Sequence, residues 1–107
     1  MTSGSPSRGE VWWVEIDKRR PALVVSAPEL DFMRARLVAP LTSQLKWERL
    51  PRALRLDGRA TGLGKPSVVN LHDLQQIYLA DFVERVQRLP SRLVGQIDEE
   101  LRRLLAL

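Results

Sequence analysis

Val11-Trp12-Trp13-Val14-Glu15-Ile16 and Pro21-Ala22-Leu23-Val24-Val25-Ser26 are separated only by the polar link Asp17-Lys18-Arg19-Arg20. The first run is β-branched and aromatic, and alternation puts Trp12, Val14 and Ile16 on one face and Val11, Trp13 and Glu15 on the other. It predicts a strand. The second run is continuously apolar, as in a strand covered on both faces, and Pro21 is compatible only with its first position. The link between them predicts a tight corner.

Working outward, Ala27-Pro28-Glu29-Leu30-Asp31 is a loop, and Ala35-Arg36-Leu37-Val38-Ala39-Pro40-Leu41 predicts a third strand ending near its proline. A polar loop follows. Arg52-Ala53-Leu54-Arg55-Leu56 alternates basic and apolar residues, as in a strand with one wet face, and Asp57-Gly58 supplies a turn. Gly62-Leu63-Gly64-Lys65-Pro66 leads into three more strand-like runs, Ser67–Leu71, Leu74–Tyr78 and Phe82–Leu89. After Pro90-Ser91, Val94, Ile97, Leu101, Leu104 and Leu105 recur at helical spacing, predicting a closing amphipathic helix. Many short strands and one final helix imply an α+β domain on a small, strongly bent antiparallel β-barrel.

A chain of 107 residues has room for one core, so residues 1–107 read as one domain, with 1–8 a flexible arm. With 44% hydrophobic and 28% charged residues the composition is that of a soluble globular protein, and no apolar run could span a bilayer. The opening residues lack the pattern of a signal peptide, which predicts a cytoplasmic protein. Absence of cysteine excludes disulfides and thiolate chemistry, and one histidine argues against a clustered metal site. No cofactor is expected.

The net charge of +4 is unevenly spread. Residues 34–65 hold eight basic side chains, Arg34, Arg36, Lys46, Arg49, Arg52, Arg55, Arg59 and Lys65, against Glu48 and Asp57 alone. Such a surplus suits a polyanion, because neutralising phosphates releases counterions; a solvated basic face fits the charge equally well.

Within this frame a few side chains carry chemistry. Arg20 abuts Pro21, whose ring fixes the backbone, so its phosphate-binding fork is pre-positioned. Lys18 and Arg19 taken alone fit a solvated turn better. Thr42, Ser43 and Gln44 end the third strand with three hydrogen-bonding side chains, although any polar turn contains such residues. Trp47 beside Lys46 could stack an unpaired base or simply pin its loop. His72, beside Asp73, is a speculative proton-transfer group, and a structural histidine is the commoner case. Gly64-Lys65 is not a P-loop, since Pro66 stands where Ser or Thr must follow the lysine.

Taken in order, Arg8-Gly9-Glu10-Val11-Trp12, Arg20-Pro21-Ala22-Leu23-Val24-Val25-Ser26, Val38-Ala39-Pro40-Leu41-Thr42-Ser43-Gln44, Thr61–Leu71 and Gln75-Gln76-Ile77 resemble the MazF/PemK family of toxin endoribonucleases from type II toxin-antitoxin systems. The resemblance covers nearly the whole chain. It implies an SH3-like barrel, a homodimer, metal-independent cleavage of single-stranded RNA at short motifs, and inhibition by a cognate MazE-like antitoxin. It puts the family's functional arginine on Arg20 and its threonine on Thr42. Lys18, Arg19, Ser43, Gln44, Lys46, Trp47, Asn70 and Gln75 become candidate RNA contacts.

Two departures stand out. The first loop is short, and His72-Asp73 occupies the place where relatives often carry an acidic residue and Gln, so base preference is expected to differ. Cleavage would use the ribose 2′-hydroxyl as nucleophile, leaving a 2′,3′-cyclic phosphate and a 5′-hydroxyl, with Arg20 stabilising the phosphorane. The alternatives are a CcdB-like gyrase poison of the same fold and a noncatalytic RNA-binding barrel.

Overall fold

The computed structural model describes residues 4–107. Strands β1 (Glu10–Glu15) and β2 (Arg19–Val24) form an antiparallel hairpin whose register pairs Val11 with Leu23 and Val14 with Arg20. The turn is tight, with the Ile16 N–H donating to the Lys18 carbonyl at 3.1 Å. Pairing to β1 thus draws Arg19 and Arg20 into β2, and Pro21 becomes its third residue instead of its first. This is tolerated because β3 (Ala35–Thr42) pairs with β2 only from Ala22 onward, leaving β2 an open edge beside Pro21.

The far edge of β3 is shared. Its first half pairs with β6 (Gln75–Tyr78), and Leu41 and Thr42 pair with β5 (Ser67–Asn70). Strand β4 (Ala53–Leu56) pairs with β5, and β7 (Phe82–Arg88) pairs with β1 across two register shifts. The antiparallel sheet has seven strands in the order β4-β5-β3-β2-β1-β7, with β6 on β3. Among the described residues no pairing joins its two ends, so the strongly bent barrel expected from the sequence takes the form of an open antiparallel sheet. A helical turn, α1 (Gly58–Thr61), packs on β7 instead, its Arg59 and Ala60 carbonyls each accepting from Gln87 Nε2 at 2.8 Å.

Side-chain alternation builds a core on each side of the sheet. Val11, Leu23, Val25, Ala39, Leu41 and Val69 pack on one side with helix α2 (Ser91–Leu104), which contributes Leu93 and Ile97 fully and Val94, Leu101 and Leu104 partly. Trp12, Val14, Ala22, Val24, Val38 and Ile77 make the second cluster. The apolar run 21–26 is therefore covered on both faces, as expected. Leu105 lies past the helix end and is exposed, whereas Leu93, absent from the predicted face, is buried.

Two expectations about charge and termini change. Arg36 is buried, and it donates to the carbonyls of Pro6 (2.7 Å), Met33 (2.8 Å), Ala35 (3.0 Å) and Asp31 (2.9 Å) and to Ser5 Oγ (2.8 Å). A buried guanidinium must have every donor satisfied, and these oxygens tie Ser5 and Pro6 to the body. Arg8 likewise reaches the Val25 carbonyl and Asp98. Residues 5–8 of the expected free arm are thus docked, while residues 1–3 lie outside the described residues. The basic middle third is also less available than its sum implies, because Arg52 pairs with Glu100 (2.7 Å) and Arg55 with Glu48 (3.6 Å). No helix of the described residues is long and apolar enough to cross a membrane.

Candidate active site

Beyond the Ala22–Pro40 pair, β2 and β3 part company: β2 turns through Pro21 and Arg20 into the hairpin, while β3 continues along β5 through Leu41 and Thr42. Two prolines that cannot donate to a ladder stand at this fork. The gap is a groove of about 260 Å³ lined by Trp13, Lys18, Arg19, Arg20, Thr42, Ser43, Gln44 and Lys65, among others.

Arg20 also borders two further cavities, each of about 290 Å³. One continues past Thr42 and Gln44 to Trp47, Leu50, Asn70 and Asp73, and the other runs between Asp17, Pro40, Asp73 and Gln75. Arg20 is the side chain common to all three. Its guanidinium is held by Asp17, Nε donating to Oδ1 at 2.9 Å and Nη2 to Oδ2 at 3.2 Å. That hydrogen-bonded pairing, helped by a backbone N–H, lowers the Asp17 carboxyl to about 2, and the same partner raises Arg20 above its ordinary value. Arg20 is therefore a permanent cation that can donate but not accept a proton.

Thr42 is oriented by its own loop. The Gln44 N–H donates to Thr42 Oγ1 at 3.1 Å, so the hydroxyl oxygen serves the turn and its O–H is left to donate. Lys65 reaches the groove through the preceding turn. Asp57 caps α1 by accepting from the Ala60 N–H at 2.8 Å, Gly62 closes it at φ 81°, and Gly64 turns again at φ 86°. Gly58 is required by close approach, because a Cβ there would lie 2.2 Å from the Lys65 nitrogen.

Most predicted contacts converge here: Lys18, Arg19, Ser43 and Gln44 line the groove, Trp47 and Asn70 the second cavity, and Gln75 the third. Two do not. The His72 ring nitrogen Nε2 is bonded to the Pro51 carbonyl, and His72 borders none of the three cavities. The ring is directed to a neighbouring loop and not into these cavities. Lys46 borders none of them either; its Nζ lies 5.1 Å from the Trp47 ring centroid, a cation–π contact that helps hold the ring.

Sequence reasoning passed over Asp17, Trp13, Lys65 and Asp73. Asp17 had a local signal, lying three residues before Arg20 in a tight turn. Trp13, in an apolar alternating strand, reads as core or subunit-interface packing, and its ring is half-buried and walls the groove. Lys65 was visible only as one charge of the basic segment 34–65, and Asp73 only as the neighbour of His72.

The chain matches the family described as PemK-like, MazF-like toxin of type II toxin-antitoxin system over residues 7–105. It is 31% identical over 111 aligned positions to the endoribonuclease MazF6 of Mycobacterium tuberculosis, covering 94% of this chain and 97% of that protein. It is 25% identical to the endoribonuclease EndoA of Bacillus subtilis, with 94% of each covered. Among solved structures, the Mycobacterium tuberculosis toxin MazF-mt6 superposes with a TM-score of 0.81 at 23% identity, over 92% of this chain and 97% of that one. A mycobacterial endoribonuclease in complex with its cognate antitoxin gives a TM-score of 0.81 at 17% identity, over 98% and 97% of the two chains. These last two similarities speak for the fold; the match over residues 7–105 and the 31% identity carry the assignment. The protein is a member of the PemK-like, MazF-like toxin family of type II toxin-antitoxin systems.

Proposed function

We propose that the protein is a toxin endoribonuclease that cleaves single-stranded RNA at short motifs, without a metal ion, and that a cognate antitoxin restrains it. The observation that carries this reading is the convergence of Arg20 from β2 and Thr42 from β3 on one groove whose walls also carry Lys18, Arg19 and Lys65. A groove with several cations suits the RNA backbone, and a guanidinium presents parallel N–H groups to the two non-bridging oxygens of a phosphate.

The ribose 2′-hydroxyl attacks the adjacent phosphorus, the bond to the 5′-oxygen breaks, and the products are a 2′,3′-cyclic phosphate and a 5′-hydroxyl. Negative charge builds on the phosphorane oxygens in between. Arg20 donates to them in a geometry braced beforehand by Asp17, and Thr42 O–H adds a second donor, so little reorganisation accompanies the step. A guanidinium already paired with Asp17 stays cationic, which suits charge stabilisation and not removal of the 2′-hydroxyl proton. DNA lacks the nucleophile. Relatives named as endoribonucleases, and a structurally similar endoribonuclease solved with its cognate antitoxin, support the ribonuclease and antitoxin parts of this reading.

The test is to incubate the purified protein with a long RNA and with single-stranded DNA of the same sequence, with and without chelator, and to map and chemically identify the ends. Cuts confined to RNA, undiminished by chelator and bearing cyclic phosphate, are expected. Intact RNA, or equal cutting of DNA, overturns the proposal.

A further inference from the structure

Asp73 precedes β6 and borders both of the further cavities with Arg20. Its location is electrostatically odd. Beside Arg20 the carboxylate offsets part of the cation's attraction for phosphate, and as an acceptor it suits a neutral hydrogen-bond donor better than another phosphate. In RNA the neutral donors are the amino and imino groups of the bases, whose edges proteins read in unpaired strands.

The neighbours of Asp73 fit that use. Gln75 Nε2 donates to Asp73 Oδ2 at 3.0 Å, fixing the carboxylate's orientation, while Oδ1 takes no hydrogen bond among the described residues. Asn70 borders the same cavity, and its Oδ1 accepts from the His72 N–H at 3.0 Å. That bond leaves the Asn70 amide NH₂ as the group it can offer a ligand. Trp47, 41% exposed, and Leu50 supply apolar walls, and the cavity of about 290 Å³ accommodates one flat nucleobase. Arg20 and Thr42 stand on its border, so a nucleotide whose phosphate they hold has its base within reach of this pocket.

Resting on the ribonuclease reading above, we propose that Trp47, Asn70 and Asp73 form a one-base reading pocket beside the scissile phosphate. Asp73 accepts from the base, Asn70 donates to it, and Trp47 packs against its face. The pocket selects a base that turns an N–H donor toward Asp73 with an acceptor beside it. Asp73 is thereby a specificity residue and takes no part in the chemical step.

The experiment cuts one long mixed-sequence RNA with the wild type, Asp73→Asn and Trp47→Ala, and sequences every end. Asp73→Asn replaces an acceptor oxygen with a donor, so preference at one position next to the cut is expected to change about tenfold or more, with the other positions unaltered. Trp47→Ala is expected to flatten preference at that same position. Unchanged relative cutting by Asp73→Asn overturns the proposal. So does uniform loss of all cutting by a folded Asp73→Asn, which would make Asp73 part of the chemistry. If the wild type cuts no RNA, the ribonuclease reading fails by itself; selection of bound sequences from a random RNA pool then tests the pocket, and identical preferences for wild type and Asp73→Asn overturn it.

Discussion

Asp17 holds Arg20 through two parallel hydrogen bonds, at 2.9 and 3.2 Å, across the three-residue distance of the β1–β2 turn. The carboxylate occupies one edge of the guanidinium and leaves the remaining N–H groups to face the groove. An exposed arginine beside a hairpin turn would otherwise sample many rotamers, and the pairing narrows that freedom before any ligand arrives.

Because Arg20 supplies the groove's fixed fork, Arg20→Ala is expected to lower kcat/KM on a short RNA substrate by a factor of roughly 10² to 10³ while the fold survives. Arg20→Lys is expected to recover little of the loss, since a single ammonium cannot reproduce the parallel donors. Steady-state kinetics with circular dichroism as a folding control checks both, and a folded Arg20→Ala of normal activity refutes the assignment.

The Asp17 carboxyl is lowered from 3.8 to about 2, chiefly by its hydrogen bond to Arg20. A depressed folded-state pKa means that the pair's contribution is complete above the ordinary carboxyl range and is lost as pH falls through about 2. Asp17 is therefore ionised at every pH at which the protein is expected to work. Carbon-detected NMR titration should find its midpoint near 2, returning toward the ordinary value in Arg20→Ala. A midpoint near 3.8 in the wild type would mean that the pair does not persist in solution.

Thr42→Val keeps the shape of the side chain but removes both the donor to phosphate and the acceptor for the Gln44 N–H. Cleavage is expected to fall by about tenfold to a hundredfold, the worth of one hydrogen bond to a charged group. Thr42→Ser should restore most of it. Equal rates for Val and Thr at this position would show that the hydroxyl serves only the turn.

His72→Ala is expected to leave the pH–rate profile of cleavage unaltered, because the ring is occupied with the Pro51 carbonyl and lies outside the cavities around Arg20. Flattening of the profile near neutral pH in this variant would return His72 to the chemistry.

Arg36→Met is a stability experiment. It removes a buried guanidinium that satisfies five oxygens and pairs with Asp31 at 3.3 Å. Stranding those acceptors should cost about 3 kcal/mol or more in denaturant unfolding. Activity per folded molecule should persist, since Arg36 is buried under the Ser5–Pro6 segment and borders none of the three cavities around Arg20. An unchanged unfolding midpoint would show that the docked Ser5–Pro6 segment contributes nothing to stability.

The strands, the closing helix and most of the groove's lining were legible in the chain itself, because they rest on local rules. Alternation in Val11–Ile16, the unbroken run Ala22–Val25 and the helical spacing of Val94, Ile97 and Leu101 each report a periodicity that neighbouring residues enforce on one another. The order of motifs around Arg20-Pro21 and Pro40-Leu41-Thr42 was enough to nominate the two side chains that meet in the groove. Tertiary structure decided what depends on distant partners. Arg36 is a core residue and not part of a basic face because the carbonyls of Pro6 and Met33 come to it across the fold. The sheet stays open because no strand pairing joins β4 to β7, and α1 packs on β7. His72 and Asp73, adjacent in sequence, separate in space, one bonded to Pro51 and the other bordering the cavities of Arg20. The direction in which each of two neighbouring side chains points is set by the turn before β6 and by the loops packed against it, which no local periodicity encodes.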